Sequence, residues 1–414
     1  MKIVHVVHQY PPEFRGGTET CVQVLSAAQA ARGDAAFIVA GSDARHPDGE
    51  LRLEAVNHVP VCRVLRRPGE NYSMDHRSPR VAQQVVELIV NERPDVVHLH
   101  HTLNLSGDLA ARVSAAGLPV VITLHDFTTV CARFFLSRPD GESCAEHFPL
   151  PSARCDACVL PDFPAGGEAL RIEREARART AAAEAAAWGA AIVPSSSVRQ
   201  RWLDSGLVDA ARLVLLPHAP ARLKGTPCEP RVRADGRLVL ASWGHLAPAK
   251  GLLDLLAALR LAADPRLALV VLGEPIDADF AEQLIDAAEG LDVSFGGRYE
   301  PADLAQLAPR VDLAVFPSRA EETFGLVLAE ARALGLPVIC SDRGALPEGV
   351  GAAGTVVPAA NPQALAAALL AAADDPRQLE SWRAASHTDL LTPGQHAERV
   401  NDVYTRVIAA AHRR

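Results

Sequence analysis

Three short segments carry residue types whose spacing suits the chemistry of phosphates and sugars. In PSRAEETFGLVLAEARALGLPVICSD, residues 317–342, the strand-like run VDLAVF leads into a polar loop and Phe324-Gly325 opens a helix. The first amides of a helix lack intrahelical acceptors and attract anions, and a glycine there lets a phosphate approach closely. Glu322 and Glu330 bracket that start with seven residues between them. An ionised carboxylate accepts without donating. Glu322 in the loop therefore suits sugar hydroxyls, and Glu330, two turns into the helix, suits a ribose diol. The plainer reading is a helix-start charge and a solvated face.

In LASWGHLAPAKGLLDLLAAL, residues 240–259, a strand ends at Gly244, a loop carries His245 and Lys250, and Gly251 precedes a helix. A cation at such a corner suits a pyrophosphate leaving group, whose charge grows as its bond breaks. A surface lysine beside a turn is the plainer alternative. In HQYPPEFRGGTETCVQVL, residues 8–25, Gly16-Gly17 follow the first strand and open a helix. That is where a phosphate or sugar loop sits, although any turn calls for glycine. The segment is not G-x-G-x-x-G, so a nicotinamide cofactor is not supported.

These segments need elements to hold them, and the chain supplies strand and helix in alternation, twice. Strand-like runs lie at Lys2–Val7, Ala35–Ala40, Val59–Leu65, Asp95–Leu99, Val120–Leu124 and Ala190–Val193, with amphipathic stretches between them. A second series of strands follows at Leu238–Trp243, Leu267–Gly273, Asp292–Phe295, Asp312–Phe316 and Pro337–Ser341. Alternation of this kind makes α/β domains with parallel, doubly wound sheets, whose ligands sit beyond the carboxyl ends of the strands. The expected organisation is an N-terminal Rossmann-like domain over 1–216, with a cysteine-containing insertion near 131–167. A Pro-rich linker over 217–235, a second domain over 236–392 and a helix over 393–414 that crosses back to the first domain complete it. Two such domains facing one another would form a cleft.

Composition narrows the function. With 414 residues, 49% hydrophobic and 22% charged, the chain is a folded protein of two or three domains. A net charge of −9, from 41 basic and 50 acidic side chains without a long basic block, argues against general nucleic-acid binding. The longest apolar runs are strand-sized, well below the roughly 18 residues of a membrane helix. Met1-Lys2 leads directly into IVHVV without a signal-peptide pattern, so a cytoplasmic protein with reduced cysteines is expected.

In that order and spacing, the three segments resemble the retaining nucleotide-sugar glycosyltransferases of the GT-B fold, the group of sucrose synthase, glycogen synthase and the phosphatidylinositol mannosyltransferases. The Glu-x7-Glu motif followed by Phe-Gly is its most specific mark. The resemblance spans nearly the whole chain and implies two Rossmann-like domains facing a cleft. It implies that Glu322 contacts the donor sugar, that Glu330 contacts the nucleotide ribose, and that the Leu326 and Val327 amides lie near a phosphate. Lys250 matches the pyrophosphate-binding lysine, and Gly16-Gly17 match the N-domain loop facing the donor. His125, in VVITLHD, matches the histidine placed near the transferred sugar, and Asp126 is the acceptor-side candidate. The catalytic set is thus His125, Lys250 and Glu322. Transfer in this family is described as front-face and retaining, without a catalytic cofactor or divalent metal.

Two positions depart from the family pattern. His245 stands where GR-x4-KG usually has arginine, so phosphate stabilisation is expected to be weaker or pH-dependent. Pro217-His218-Ala219 replace a frequent Asn-Gly after the linker strand. His98, His100 and His101 read as core or lining residues rather than metal ligands. Cys131, Cys144, Cys155 and Cys158 lie in an irregular stretch, and the Cys155-x2-Cys158 spacing suits a structural zinc site. Free cysteines and a redox role stand beside zinc. Arg171, Arg174 and Arg177 line one side of a helix, either a solvated face or a peripheral contact with anionic lipid at the inner face of a membrane. The expected partners are a nucleotide sugar and an acceptor glycan, lipid-linked sugar or small metabolite. A nucleotide-sugar 2-epimerase and a non-catalytic sugar-nucleotide-binding subunit are the competing functions.

Overall fold

The computed structural model describes residues 1–70, 77–138, 143–144, 154–159, 167–221, 236–387 and 389–413. Most of the expected linker and of the insertion's centre lie outside these residues. The chain divides into two compact units. One comprises Met1–Pro139, Cys144–Ala219 and Leu391–Arg414; the other is mainly Pro220–Leu390.

The first unit holds an eight-stranded sheet. Its strands are β1 (Lys2–Val7), β2 (Ala35–Arg45), β3 (Glu50–Val56), β4 (Val59–Arg66), β5 (Val96–Leu99), β6 (Val120–Thr123), β7 (Ala190–Val193) and β8 (Leu213–Leu215). They run in the order β3-β4-β2-β1-β5-β6-β7-β8, all parallel except β3 against β4. The central strands are short buried runs because helices cover both faces. β3 is absent from the alternation pattern for a physical reason. It is a solvent-facing edge strand, so ELRLEAV has no buried face to make apolar. Asn57 and His58, at φ 50° and 67°, form its two-residue turn into β4.

The helix Pro393–Ala411 belongs to this first unit. Thr392 caps it reciprocally with Gln395, and Pro393 occupies its first turn. Its buried face, Val400, Val403, Tyr404 and Val407, packs with Ile3, Leu25, Val96 and Val121. The C-terminus thereby sits against the helix Gly17–Ala31 and brings polar side chains to the underside of β1 and β5.

The second unit holds six parallel strands: β9 (Leu238–Trp243), β10 (Leu267–Leu272), β11 (Val293–Phe295), β12 (Leu313–Phe316), β13 (Val338–Ser341) and β14 (Gly354–Val357). Their order is β11-β10-β9-β12-β13-β14. β14 is a further short edge strand. A Cβ on Gly354 would stand 1.7 Å from the Val338 carbonyl oxygen, so glycine is needed for it to pair.

In both sheets the strand order reverses beside the first strand of the unit, between β1 and β5 and between β9 and β12. Ligands of open α/β sheets bind at such switch points. The loops after these strands carry most of the residues singled out by sequence.

Candidate functional site

In the second unit, β9 and β12 deliver two loops to the same place. Lys250 Nζ lies 2.6 Å from Glu322 Oε1, and Ser318 Oγ donates to the same oxygen at 2.9 Å. The loops are stitched by their backbones, with the Arg319 and Ala320 amides both donating to the Ala249 carbonyl at 2.8 and 3.1 Å. Arg319 adds a two-pronged pair to Asp254, at 2.7 and 2.6 Å. Glycine makes this closeness sterically possible at two positions. Gly251 has φ 72°, and a Cβ there would stand 2.0 Å from the Pro317 carbonyl oxygen. Gly344 has φ 57°, and its Cβ would stand 2.1 Å from the Glu322 carbonyl oxygen.

The helix Leu326–Ala333 starts directly after Gly325, which caps it at φ 79°. Phe324 immediately precedes this cap and is half-buried. The amides of Leu326 and Val327 fall in the first turn, where no intrahelical carbonyl reaches them. One turn on, Glu330 is 9% exposed and accepts from Trp243 Nε1 at 2.9 Å. Burial pushes its carboxyl up to about 7, against the pull of the Trp243 hydrogen bond. Glu330 is therefore an inward-facing acceptor beside β9 rather than a solvated side chain. His245 is exposed at the end of β9. Desolvation, and secondly the Lys250 charge, hold its imidazole below its ordinary value. It is therefore largely neutral at pH 7 and supplies no standing cation in place of the family's arginine.

In the first unit, β1, β5 and β6 end in histidines. His8 Nε2 lies 3.0 Å from Glu19 Oε1, and Glu19 Oε2 accepts from the Gly16 amide at 3.0 Å. Glu19 is 1% exposed and closes the Gly16-Gly17 loop against its own helix. A Cβ on Gly16 would come within 2.8 Å of that carboxylate. The His101 ring lies 4.2 Å from the His8 ring, and its Nε2 contacts Asp126 Oδ2 at 3.0 Å. Burial opposes the Asp126 charge, but His101 and two hydrogen bonds from Thr128 outweigh it and hold the carboxyl well below the usual range. His125 Nε2 lies 2.9 Å from His100 Nδ1, and its ring stacks on His218 at 4.9 Å. Burial brings His125 down to about 3, so it is a neutral imidazole at pH 7. A pocket opens beside it, lined by His101, Asp126, Thr128, Thr129, Thr180 and Glu184 among others.

Among the described residues, two side-chain sets bring their ligand atoms within 4.8 Å of one another: His5, His98 and His100, and Cys21, His125 and His218. Neither suits an ion. The first set's nitrogens bond to one another and to Gln29, Tyr404 and Thr123. In the second, the His125 and His218 planes lie 13° apart in a stack, so their in-plane lone pairs run side by side instead of converging. The tetrathiolate expected of Cys131, Cys144, Cys155 and Cys158 is not among these sets. Cys131 and Cys144 share a hydrogen bond that lowers the Cys131 thiol and raises the Cys144 thiol. The basic helix face is also committed to the protein. Arg171 pairs with Glu168 and Glu175, Arg174 with Asp156 at 2.8 Å, and buried Arg177 donates to the Cys131 carbonyl.

Residues 15–219 match the family described as Glycosyltransferase Family 4, and residues 229–388 match Glycosyl transferases group 1. The chain belongs to this glycosyltransferase family. Relatives of the enzyme include a glycogen synthase of Mycobacterium tuberculosis, 28% identical over all of this chain and 95% of the relative. A D-inositol 3-phosphate glycosyltransferase of Catenulispora acidiphila is 31% identical over 70% of this chain and 66% of its own. Among solved structures, sucrose-phosphate synthase from Thermosynechococcus elongatus matches 99% of this chain and 100% of its own, with a TM-score of 0.71 at 20% identity. Anabaena HepE in complex with UDP and glucose matches with a TM-score of 0.68 at 19% identity, over 97% of this chain and 99% of its own. The glycosyltransferase thus has the GT-B fold, two parallel-sheet α/β domains. Among the described residues, no helix is long and apolar enough to cross a membrane.

Sequence reasoning passed over His8, Glu19 and Gln29, which the fold places among the histidines of the first unit. Glu19 was legible in part, since Gly-x-x-Glu at a helix start is the pattern of a reciprocal cap. No local signal marks Gln29, because its partners stand 24 and 372 residues away.

Proposed function

We propose that the enzyme is a retaining, metal-independent transferase that moves a sugar from a nucleotide-sugar donor to an acceptor hydroxyl. The observation that carries this reading is the pairing of Lys250 with Glu322 beside the first turn at Leu326, with Glu330 facing inward one turn on. In this reading Lys250 and the Leu326 and Val327 amides take the diphosphate, Glu330 accepts from the ribose hydroxyls, and Glu322 accepts from the sugar. The acceptor oxygen bonds to the anomeric carbon on the face that the diphosphate leaves. The anomeric C–O bond to phosphate breaks, and a phosphate oxygen takes the acceptor's proton. The configuration is kept. Charge grows on the leaving diphosphate, where Lys250 and the helix amides stand ready without reorganising. Such preorganised charge is usually the main source of rate acceleration in group transfer. His125 and Asp126 of the first unit serve the transferred sugar and the acceptor, and Gly16-Gly17 shape the loop facing the donor.

The test is thermal unfolding against UDP-, GDP-, ADP- and CMP-sugars, followed by product analysis with glycan, lipid-linked and small-metabolite acceptors. A ligand at a hundred times its dissociation constant stabilises by about 2.7 kcal/mol. One nucleotide class should stabilise the wild type and fail to stabilise Glu330→Ala. The product should carry the donor's anomeric configuration, and EDTA should leave the rate unchanged. An inverted product or a rate lost to EDTA would refute the retaining, metal-independent mechanism. Conversion of the donor without acceptor would replace transfer by epimerisation.

A further inference from the structure

Inside the first unit a file of side-chain hydrogen bonds runs from the C-terminal helix to His125, and its polarity can be read from one end. An ionised carboxylate offers acceptors only, so the Asn401 atom 2.6 Å from Asp34 Oδ2 is the amide nitrogen. Asn401 Oδ1 then faces Gln29 Nε2 at 3.1 Å, which turns Gln29 Oε1 toward His5. That oxygen, 2.9 Å from His5 Nε2, requires the His5 proton on Nε2. His5 Nδ1 is left as an acceptor for His100 Nε2 at 3.0 Å. His100 Nδ1 is in turn the acceptor for His125 Nε2 at 2.9 Å.

A neutral imidazole carries one N–H, so each ring passes the polarity on unchanged. The rings of His5 and His100 are buried, and burial holds both below the ordinary histidine value, His5 at about 4. A second branch agrees. Gln29 Nε2 also donates to Tyr404 Oη at 3.3 Å, which leaves the tyrosine proton for His98 Nδ1 at 2.6 Å. His98 then carries its proton on Nε2 and donates to Thr123 Oγ1 at 2.8 Å. Moving the His125 proton to Nδ1 would set two lone pairs facing one another in the core. Reversing the whole file would turn both amides and set Asn401 Oδ1 against the Asp34 carboxylate, two acceptors with no proton between them.

We propose that Gln29, His5 and His100 are positioning residues that hold His125 as the Nε2–H tautomer, so that its Nδ1 is a fixed acceptor for a hydroxyl of the bound sugar. This rests on the role given to His125 above. A ring held this way accepts a hydroxyl proton and turns its lone pair against a phosphate or carbonyl oxygen. The two kinds of group are thereby discriminated at the same atom.

The test uses the full chain with nitrogen-15-labelled histidine and long-range proton–nitrogen correlation at pH 7.5. His125→Ala identifies the His125 signals. His5, His100 and His125 should each show a protonated, pyrrole-type Nε2 and a pyridine-type Nδ1. Gln29→Leu, which removes the oxygen that orders the file, should give His125 a mixture of tautomers. Thr123→Val, off the file, should leave it as in the wild type. A proton on Nδ1 of His125, a charged ring, or an even mixture in the wild type would overturn the proposal, and that spectrum decides even if Gln29→Leu does not fold. Activity separates the two readings. If His125→Ala transfers sugar normally while the wild type shows the Nε2–H state, the role of His125 fails and the file stands. If His125→Ala is inactive while the wild type shows Nδ1–H, the file fails and the role stands.

Discussion

In the proposed donor site, Glu330 sets stability against nucleotide recognition, and Glu330→Gln should separate them. The carboxyl is 9% exposed, accepts from Trp243 Nε1, and is pushed by burial from 4.5 up to about 7. Between these values the folded protein keeps a proton that the unfolded chain has released. Stability therefore falls as pH rises through that window, the sign for an acid whose folded value is raised. At about 1.4 kcal/mol for each tenfold step, the difference between 4.5 and about 7 amounts to roughly 3 kcal/mol. Glutamine keeps an acceptor for Trp243 and has no proton to lose. The stability of Glu330→Gln relative to wild type should accordingly rise by about 2.5 kcal/mol between pH 5 and pH 8. Urea unfolding at both pH values, followed through the emission of Trp243 and Trp382, measures it. Nucleotide-sugar affinity should move the other way. Exchanging a charged acceptor for an amide, which still accepts, loses about 1–1.5 kcal/mol, or roughly 5- to 10-fold in dissociation constant. A stability difference that is flat or falls with pH would refute the burial argument. Unchanged affinity would refute the ribose assignment.

Three further outcomes follow from the same structure. Lys250→Ala should lower kcat about 100- to 1,000-fold, as loss of a preorganised charge does, with a smaller change in donor KM in steady-state assays. Gly344→Ala forces a Cβ to 2.1 Å from the Glu322 carbonyl oxygen at φ 57°, and should cost about 1–3 kcal/mol in urea unfolding and weaken donor binding. Acid should unfold the first unit before the second. His5, His8, His125 and His396 are held at about 4, 3, 3 and 4, so the unfolded chain takes up their protons first and stability falls as pH drops below about 6.5. His98, His100 and His218 act in the same sense, while Glu19 and Glu184, raised to about 7 and 8, oppose them. Emission from Trp188 and Trp202 should therefore change at higher pH than that from Trp243.

The elements of the proposed site in the second unit were legible because each is local. A strand, a loop with Lys250 or Glu322, and a glycine opening a helix lie within a couple of dozen residues, and the 3.6- and 2-residue periods identify their ends. The edge strands β3, β8 and β14 were not legible. β3 has one neighbour and two wet faces and need not alternate, and the other two are only three and four residues long, too short to show a period. The four cysteines were legible only as a spacing, which by itself carries no information on how their sulfurs are arranged.

Composition and local pattern thus determine the class of the fold, the places where the chain turns, and the residue types waiting at the carboxyl ends of the strands. Tertiary structure alone decides which of those residues are charged and which way their protons point. Glu330 becomes a protonatable acceptor because the fold buries it against Trp243. His125 takes its orientation from Asn401, far away in the chain, through Gln29, His5 and His100. Desolvation and hydrogen-bond direction depend on every group that closes around a side chain, and those groups come from segments that no local window contains.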